Sequence, residues 1–318
     1  RVNRRIRLGE ATFKNKIIPF PLVTEICDVL QGFKALMKEY GVEEYELQAT
    51  TAVREASNQV FLLDQIYNKT GLIVDVVDMP QEIYTKFTAI RNTLKNERIS
   101  SERDGMLMMD ISSGGLGVTL VQDDNIRYQE NFHVGIIRIK ESFERNRRES
   151  MHFNKALTEF LSSTIGPVRR ELQQDSVQYL VLSGTETELL LKMLGLDTIQ
   201  LVHRIKADDF HKFFQKMHQM NLPQIIETFN IPESLAELAL PTVVLYEQLL
   251  HLIPAKEIII SADNFIDGMQ LLHIGKKTSP ALCKAWEQEL ISLFHCIGQR
   301  YLYDKQHVRQ VERLSVLL

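Results

Sequence analysis

Residues 105–122, GMLMMDISSGGLGVTLVQ, constrain this chain more than any other stretch. The apolar run 106–109 reads as a buried strand that ends in Asp110. The chain then turns through Ser112, Ser113, Gly114, Gly115 and Gly117 and resumes as the apolar run 118–121. Strand, acidic residue, small-residue turn and strand form a hairpin whose backbone can approach a ligand closely. Consecutive N–H groups in such a turn make a concave anion site of the kind used for phosphate. Asp110 at the strand end is placed to hold Mg²⁺ through water, because magnesium prefers hard oxygen ligands and keeps much of its hydration. The competing reading is a tight hairpin in which Asp110 only closes the turn.

The rest of the chain sets the class. At 318 residues it is comfortable for two domains, and 44% apolar with 25% charged residues is ordinary for a globular protein. A formal charge of −4 argues against a nucleic-acid duplex as partner. Cys27, Cys283 and Cys296 lie far apart and form no C-x-x-C pair, which fits buried thiols in a reducing compartment. No apolar run reaches membrane-spanning length and no signal peptide is visible, so no membrane partner and a cytoplasmic location are expected. The start at Arg1 without Met and the stop at Leu318 inside an apolar helical pattern read as a core cut from a longer protein.

In chain order, residues 1–8 alternate basic and apolar and predict a strand with one wet face. Helical periodicity covers 20–40, with Gly41 as its stop. A short strand at 46–50 leads to a helix ending near 68, and Gly71 opens a strand at 72–77. Pro80 suits a first helical turn, and that helix runs to about 94. The charged stretch 95–104 is the best domain boundary. Beyond the hairpin, a strand is expected near 126–133, helices at 135–143 and 154–172, and a buried strand at 177–182. Arg145, Arg147 and Arg148 read as a solvated helix end. From 208 onward the pattern is helical apart from a strand at 257–261. Alternating strands and helices imply an α/β architecture.

Taken together, these stretches resemble one family. Residues 49–58, ATTAVREASN, look like the A-T-S-A-x-R-x-A-x-N signature of the exopolyphosphatase / guanosine pentaphosphate phosphohydrolase family (Ppx/GppA phosphatases). The likeness continues in register. Gln81 and Glu82 resemble its E-E-A-R helix, and residues 110–117 its D-I-G-G-G-S-T-E turn. Gly135, Arg138, Glu141 and Phe143 resemble G-x-x-R-L-x-E-x-F, and Ser183-Gly184-Thr185 its G-G-T. Residues 241–269 resemble its late helix, strand and G-L-R-E-G turn, and 301–318 the first helix of an HD-like domain. The resemblance implies a two-lobed actin-like ATPase (ribonuclease H-like) α/β fold with a helical C-terminal segment. It places a first lobe at 1–97, missing the opening D-x-G-S-N phosphate loop, a second lobe at 98–276, and the start of the HD-like domain at 277–318.

The resemblance also implies roles. Glu82 becomes the water-activating base, Asp110 the catalytic and metal-side carboxylate holding Mg²⁺, and Arg54 a phosphate contact. Thr51, Asn58, Ser112, Ser113, Gly114, Gly115, Gly184 and Thr185 complete the phosphate-binding set. The implied partner is polyphosphate or a guanosine polyphosphate, and the implied assembly a homodimer. Read as residues alone, Glu82 is equally a helix-start carboxylate favouring the dipole, and Arg54 a structural ion pair with Glu55 or another carboxylate. Thr51 and Asn58 are equally helix caps. The chain departs from the family pattern at Ser112 and Ser113, which replace glycines, at Tyr84, which replaces an arginine, at Ser183, which replaces a glycine, and at Gly117, which replaces the turn glutamate. Two functions therefore stand: a metal-dependent phosphohydrolase cleaving terminal phosphoanhydrides, or a degenerate member that binds such an anion or a protein without turnover. A sugar or acetate kinase shares the phosphate turn but not residues 49–58.

Overall fold

The structure, a computed structural model, describes residues 2, 4, 6–99, 105–123, 125–143, 153–172, 177–184, 186–252, 255 and 257–317. Near the N-terminus, β1 (Gln48–Ala49) and β2 (Asp75–Val76) pair in parallel as a sheet of two strands. Around them pack helices Leu8–Asn15, Phe20–Glu39, Thr51–Arg54 and Gln59–Thr70, on a core that includes Ile18, Val23, Cys27, Leu62 and Ile66. The strand expected over 1–8 is not formed: residues 6 and 7 belong to no regular element and Leu8 opens a helix. A strand needs a paired neighbour, and β1 and β2 find only each other among the described residues. For the same reason the strands expected at 46–50 and 72–77 shrink to two residues each. Gly71, at φ +71°, ends helix Gln59–Thr70 in a left-handed cap instead of opening a strand.

The second sheet has six strands. The expected hairpin forms from β3 (Met106–Ile111) and β4 (Leu116–Gln122), with Asp110 opposite Gly117, and β5 (Asn125–Phe132) extends it antiparallel. On the other side of β3, β6 (Tyr179–Gly184) and then β8 (Glu257–Ser261) run parallel to it, and β7 (Val202–Lys206) closes the edge antiparallel to β8. Both faces are covered, which is why β3, β6 and β8 read as unbroken apolar runs. Leu107, Met109 and Ile111 face one core with Leu182, Ile258 and Ile260. Met106 and Met108 face the other with Val181 and Ile259.

The first face carries helices Ile136–Ser142, Phe153–Leu172, Thr187–Met193, Ala207–His218, Leu222–Phe229 and Glu233–Leu252. The second carries helices Met79–Asn96, Phe265–Thr278 and Pro280–Arg300. The last described helix, Lys305–Leu317, follows these. Strand β7 has no counterpart in the sequence reading: Arg204 and Lys206 point to solvent, the charged character that blunts an edge strand and hides its alternation. The basic cluster at Arg145, Arg147 and Arg148 and residues 100–104 of the 95–104 stretch lie outside the described residues. Among those described, no helix is long and apolar enough to cross a membrane.

Candidate functional site

Helix Met79–Asn96 is started by its own sequence. The Asp78 side chain accepts a hydrogen bond from the Gln81 N–H at 2.8 Å, and Pro80 sits in the first turn, where its missing N–H costs nothing. That start puts Glu82 in the first turn and Lys86 one turn on, on the same face. The end of β3 lies against this face. Lys86 Nζ donates to Asp110 Oδ2 at 2.7 Å and lies 3.3 Å from Glu82 Oε1. The two carboxylates therefore converge on one ammonium. Burial alone would lower the Lys86 pKa; Asp110 and then Glu82 more than offset it, and the pKa lies above the ordinary lysine value.

The remaining carboxylate oxygens are also taken. Glu82 Oε2 accepts from the Thr51 hydroxyl at 3.2 Å and from Arg54 Nη2 at 3.1 Å. Arg54 also donates to the Val77 carbonyl at 2.7 Å and to Thr51 Oγ1 at 3.0 Å. Asp110 Oδ1 accepts from Ser183 Oγ at 3.1 Å, its register neighbour on β6. The Ser183 carbonyl in turn accepts from Tyr246, whose hydroxyl burial pushes far above the ordinary phenol value. Glu55, weighed as a partner of Arg54, instead accepts from Lys16 and Arg138, each at 2.7 Å. Burial raises the Glu55 pKa, but these two cations outweigh it and hold the carboxyl below its usual range.

The turn after Asp110 is closed by its own serine. Ser112 N–H donates to the Gly115 carbonyl at 2.8 Å, and Gly115 N–H donates to Ser112 Oγ at 3.1 Å. The Ser112 and Ser113 carbonyls accept from the first N–H groups of helix Ile136–Ser142. Two of the turn's N–H groups thus serve the turn and not a ligand. Gly114 is required by close approach: a Cβ there would lie 2.6 Å from Phe13 and 2.7 Å from Thr51. Arg138 braces the same spot, donating to the Gly114 carbonyl at 2.9 Å while lying 4.5 Å from the centre of the Phe13 ring.

Thr51, Glu82, Asp110, Ser112, Gly114 and Gly115 line one cleft with Lys86, Gly117, Asn131 and His133. Arg54 joins it through Thr51 and Glu82. The space left is about 20 Å³. That is room for about one water between the side chains as packed. Other predicted contacts stand elsewhere. Asn58 uses both ends of its amide on the backbone of Ile18, at 3.0 and 2.8 Å, and lines no part of the cleft. Ser113 serves the following helix through its carbonyl. Gly184 has φ +136°, and a Cβ there would lie 1.9 Å from the Ile111 carbonyl oxygen, so its role in the fold is close strand packing. Thr185 lies outside the described residues. Lys86 and Arg138 received no role from the sequence reading. The Glu82–Lys86 spacing at i, i+4 was the available signal for the first.

A family model for the Ppx/GppA phosphatase family matches residues 1–272. The chain belongs to that family. Solved relatives share its actin-like fold. An Aquifex aeolicus Ppx/GppA family member is 20% identical, covers 85% of this chain and 87% of that one, and superposes with a TM-score of 0.68. An exopolyphosphatase from Cytophaga hutchinsonii is 18% identical over the same shares, with a TM-score of 0.69. A curated relative, the bifunctional 3-dehydroquinate synthase/phosphatase of Fusobacterium nucleatum, is 23% identical over 145 residues, 45% of this chain. The chain spans 21% of that relative's length.

Ppx/GppA membership supports phosphohydrolase chemistry and raises the question of a divalent metal. The donor set as placed does not fit one. Magnesium would need the space between the two carboxylates and several hard oxygens around it. Here the Lys86 ammonium already fills the space between the inward oxygens of Glu82 and Asp110, and Gly117 offers no carboxylate. The cation at the centre of this site is an ammonium.

Proposed function

We propose that this cleft takes the terminal phosphates of inorganic polyphosphate or guanosine pentaphosphate and hydrolyses the end phosphoanhydride. The observation that carries this reading is the meeting of Glu82 and Asp110, from different elements, with Arg54 and Thr51 beside them in one cleft. Phosphoanhydride hydrolysis needs an in-line water, a group to orient it, and positive charge around the phosphoryl oxygens. As packed, two cations and two carboxylates cancel, so an incoming phosphate must exchange for the carboxylates as partner of Lys86 and Arg54. That exchange supplies the positive charge and releases Glu82, still bonded by Thr51, to accept the proton of an attacking water. Asp110 stays fixed by Ser183. Lys86 supplies at this centre charge that a metal would otherwise bring, so Mg²⁺ is expected to have only a weak effect on the parent protein.

Phosphate release from polyphosphate and from guanosine pentaphosphate, followed beside equilibrium binding of the same anions, tests the proposal. Glu82→Gln is expected to lower release by roughly 100-fold or more with binding nearly unchanged. Equal rates for the two proteins would leave Glu82 as a helix-end carboxylate and sink the mechanism. A second reading, anion binding without turnover, is favoured by one observation: every carboxylate oxygen in the cleft already has a partner. Binding with no release by the parent would select it.

A further inference from the structure

Far from the phosphate turn in sequence, helix Glu233–Leu252 carries Glu247 and His251 at i, i+4 on one face, and helix Ala207–His218 brings His211 against them. We propose that His211, Glu247 and His251 bind a zinc-class divalent cation that joins these two helices. None of the three lines the cleft described above.

The geometry is near that of a ligand set. His211 Nδ1 lies 2.5 Å and His251 Nε2 3.2 Å from the same oxygen, Glu247 Oε1. All three ligand atoms lie within 4.8 Å of one another. In a tetrahedral zinc site with bonds near 2.0–2.1 Å, neighbouring ligand atoms sit roughly 3.3 Å apart. A small opening of the His211–Glu247 contact and a small rotation of His251 give that spacing.

A second, independent observation points to a cation. The Glu247 side chain is only 2% exposed, and its Oε2 has no hydrogen-bond partner among the described residues. A buried carboxylate oxygen left unpaired is costly, and an ion taken by both Glu247 oxygens, Oε2 as well as Oε1, offsets that cost. The two imidazoles are on the solvent side, with 46% and 63% of their side-chain surface exposed, so an ion has a path in and a fourth position open to water. His211 also has a partner for its far nitrogen: Gln215 Nε2 lies 2.8 Å from His211 Nε2. With the Gln215 amide turned, its oxygen accepts that N–H and leaves Nδ1 unprotonated for the metal.

Two imidazoles and one carboxylate select borderline cations. Zinc fits, whereas Mg²⁺ and Ca²⁺ prefer an all-oxygen shell. The alternative is a plain ion pair in which the histidines neutralise Glu247.

The test uses the whole chain, stripped with chelator and titrated with Zn²⁺ by calorimetry and with Co²⁺ by visible absorption. The expected result is one ion bound per chain at this site, with a cobalt band of low-coordinate type. His211→Gln and His251→Gln, both changes at exposed rings, should each weaken binding by at least about 100-fold, whereas Gln215→Ala should cost roughly tenfold, the scale of an outer-shell partner. Asp110→Asn, in the cleft, should leave the titration unchanged. The proposal is overturned if the parent binds neither ion, or if the doubly substituted His211→Gln/His251→Gln chain, shown folded by its circular dichroism, binds as the parent does.

Discussion

Lys86 is the residue on which the cleft's behaviour turns. Its ammonium is shared by Glu82 and Asp110, and these two carboxylates hold its pKa above the ordinary lysine value despite burial. Lys86→Met would leave Asp110 with the Ser183 hydroxyl alone and Glu82 with Arg54 and Thr51. Breaking a buried pair from one side costs about 3 kcal/mol or more, far above the value of an exposed pair. The variant should therefore unfold at lower urea than the parent in metal-free buffer and recover much of the difference in millimolar Mg²⁺, because a site emptied of its ammonium becomes a two-carboxylate magnesium site. A parent protein that gains as much from Mg²⁺ as the variant would refute the resident-cation reading. Much of this site was legible beforehand, since Asp110, Glu82, Arg54 and Thr51 sit in recognisable sequence patterns. The partner that decides their state was not. Lys86 meets Asp110 only because helix Met79–Asn96 crosses the end of β3, and no local pattern encodes that crossing.

At the scale of elements, helix Met79–Asn96 is held over the sheet by helix Phe265–Thr278, and the contact is close because residue 268 has no side chain. A Cβ on Gly268 would lie 2.1 Å from the Thr85 carbonyl oxygen, a backbone atom that cannot turn aside. Asn264 and Asp267 form a capping box at that point, so the helix start cannot slide to relieve the clash. Alanine favours a helix over glycine by up to about 1 kcal/mol, while overpacking costs about 1–3 kcal/mol, so the clash wins. Gly268→Ala should be destabilised in thermal unfolding. Because Thr85 lies between Glu82 and Lys86, the same variant should also bind polyphosphate more weakly. A neutral or stabilised Gly268→Ala protein would mean that the two helices separate easily. Elements with strong periodicity, such as helix Phe20–Glu39 and hairpin β3–β4, were readable from sequence because their own residues determine them. β7 and the stretch 1–8 were not: pairing, present for one and missing for the other, decides whether an extended segment becomes a strand.

Across the whole molecule, helix Met79–Asn96 is fastened to the C-terminal helices through residues of its first and middle turns. The Tyr84 hydroxyl donates to the Trp286 carbonyl at 3.2 Å, and Arg91 pairs with Glu289 at 2.5 Å. Trp286 and Leu293 are buried in the same core as Tyr84, Phe87, Ile90, Met106, Met108 and Ile259. The helix therefore carries the site's charges in its first two turns and is tied to helix Pro280–Arg300 through Tyr84 and Arg91. We propose that residues 280–300 unfold together with the sheet, although the family likeness assigns 277–318 to a different domain. Trp286→Ala removes a large buried ring, a change that costs about 3–5 kcal/mol when the site cannot collapse. If the proposal is right, thermal unfolding of the variant remains a single transition, shifted down as a whole, and polyphosphate binding weakens with it because the support of Glu82 and Lys86 loosens. An early, separate transition that leaves the main unfolding temperature and anion binding at parental values would show instead that the C-terminal helices are an independent unit resting on the sheet.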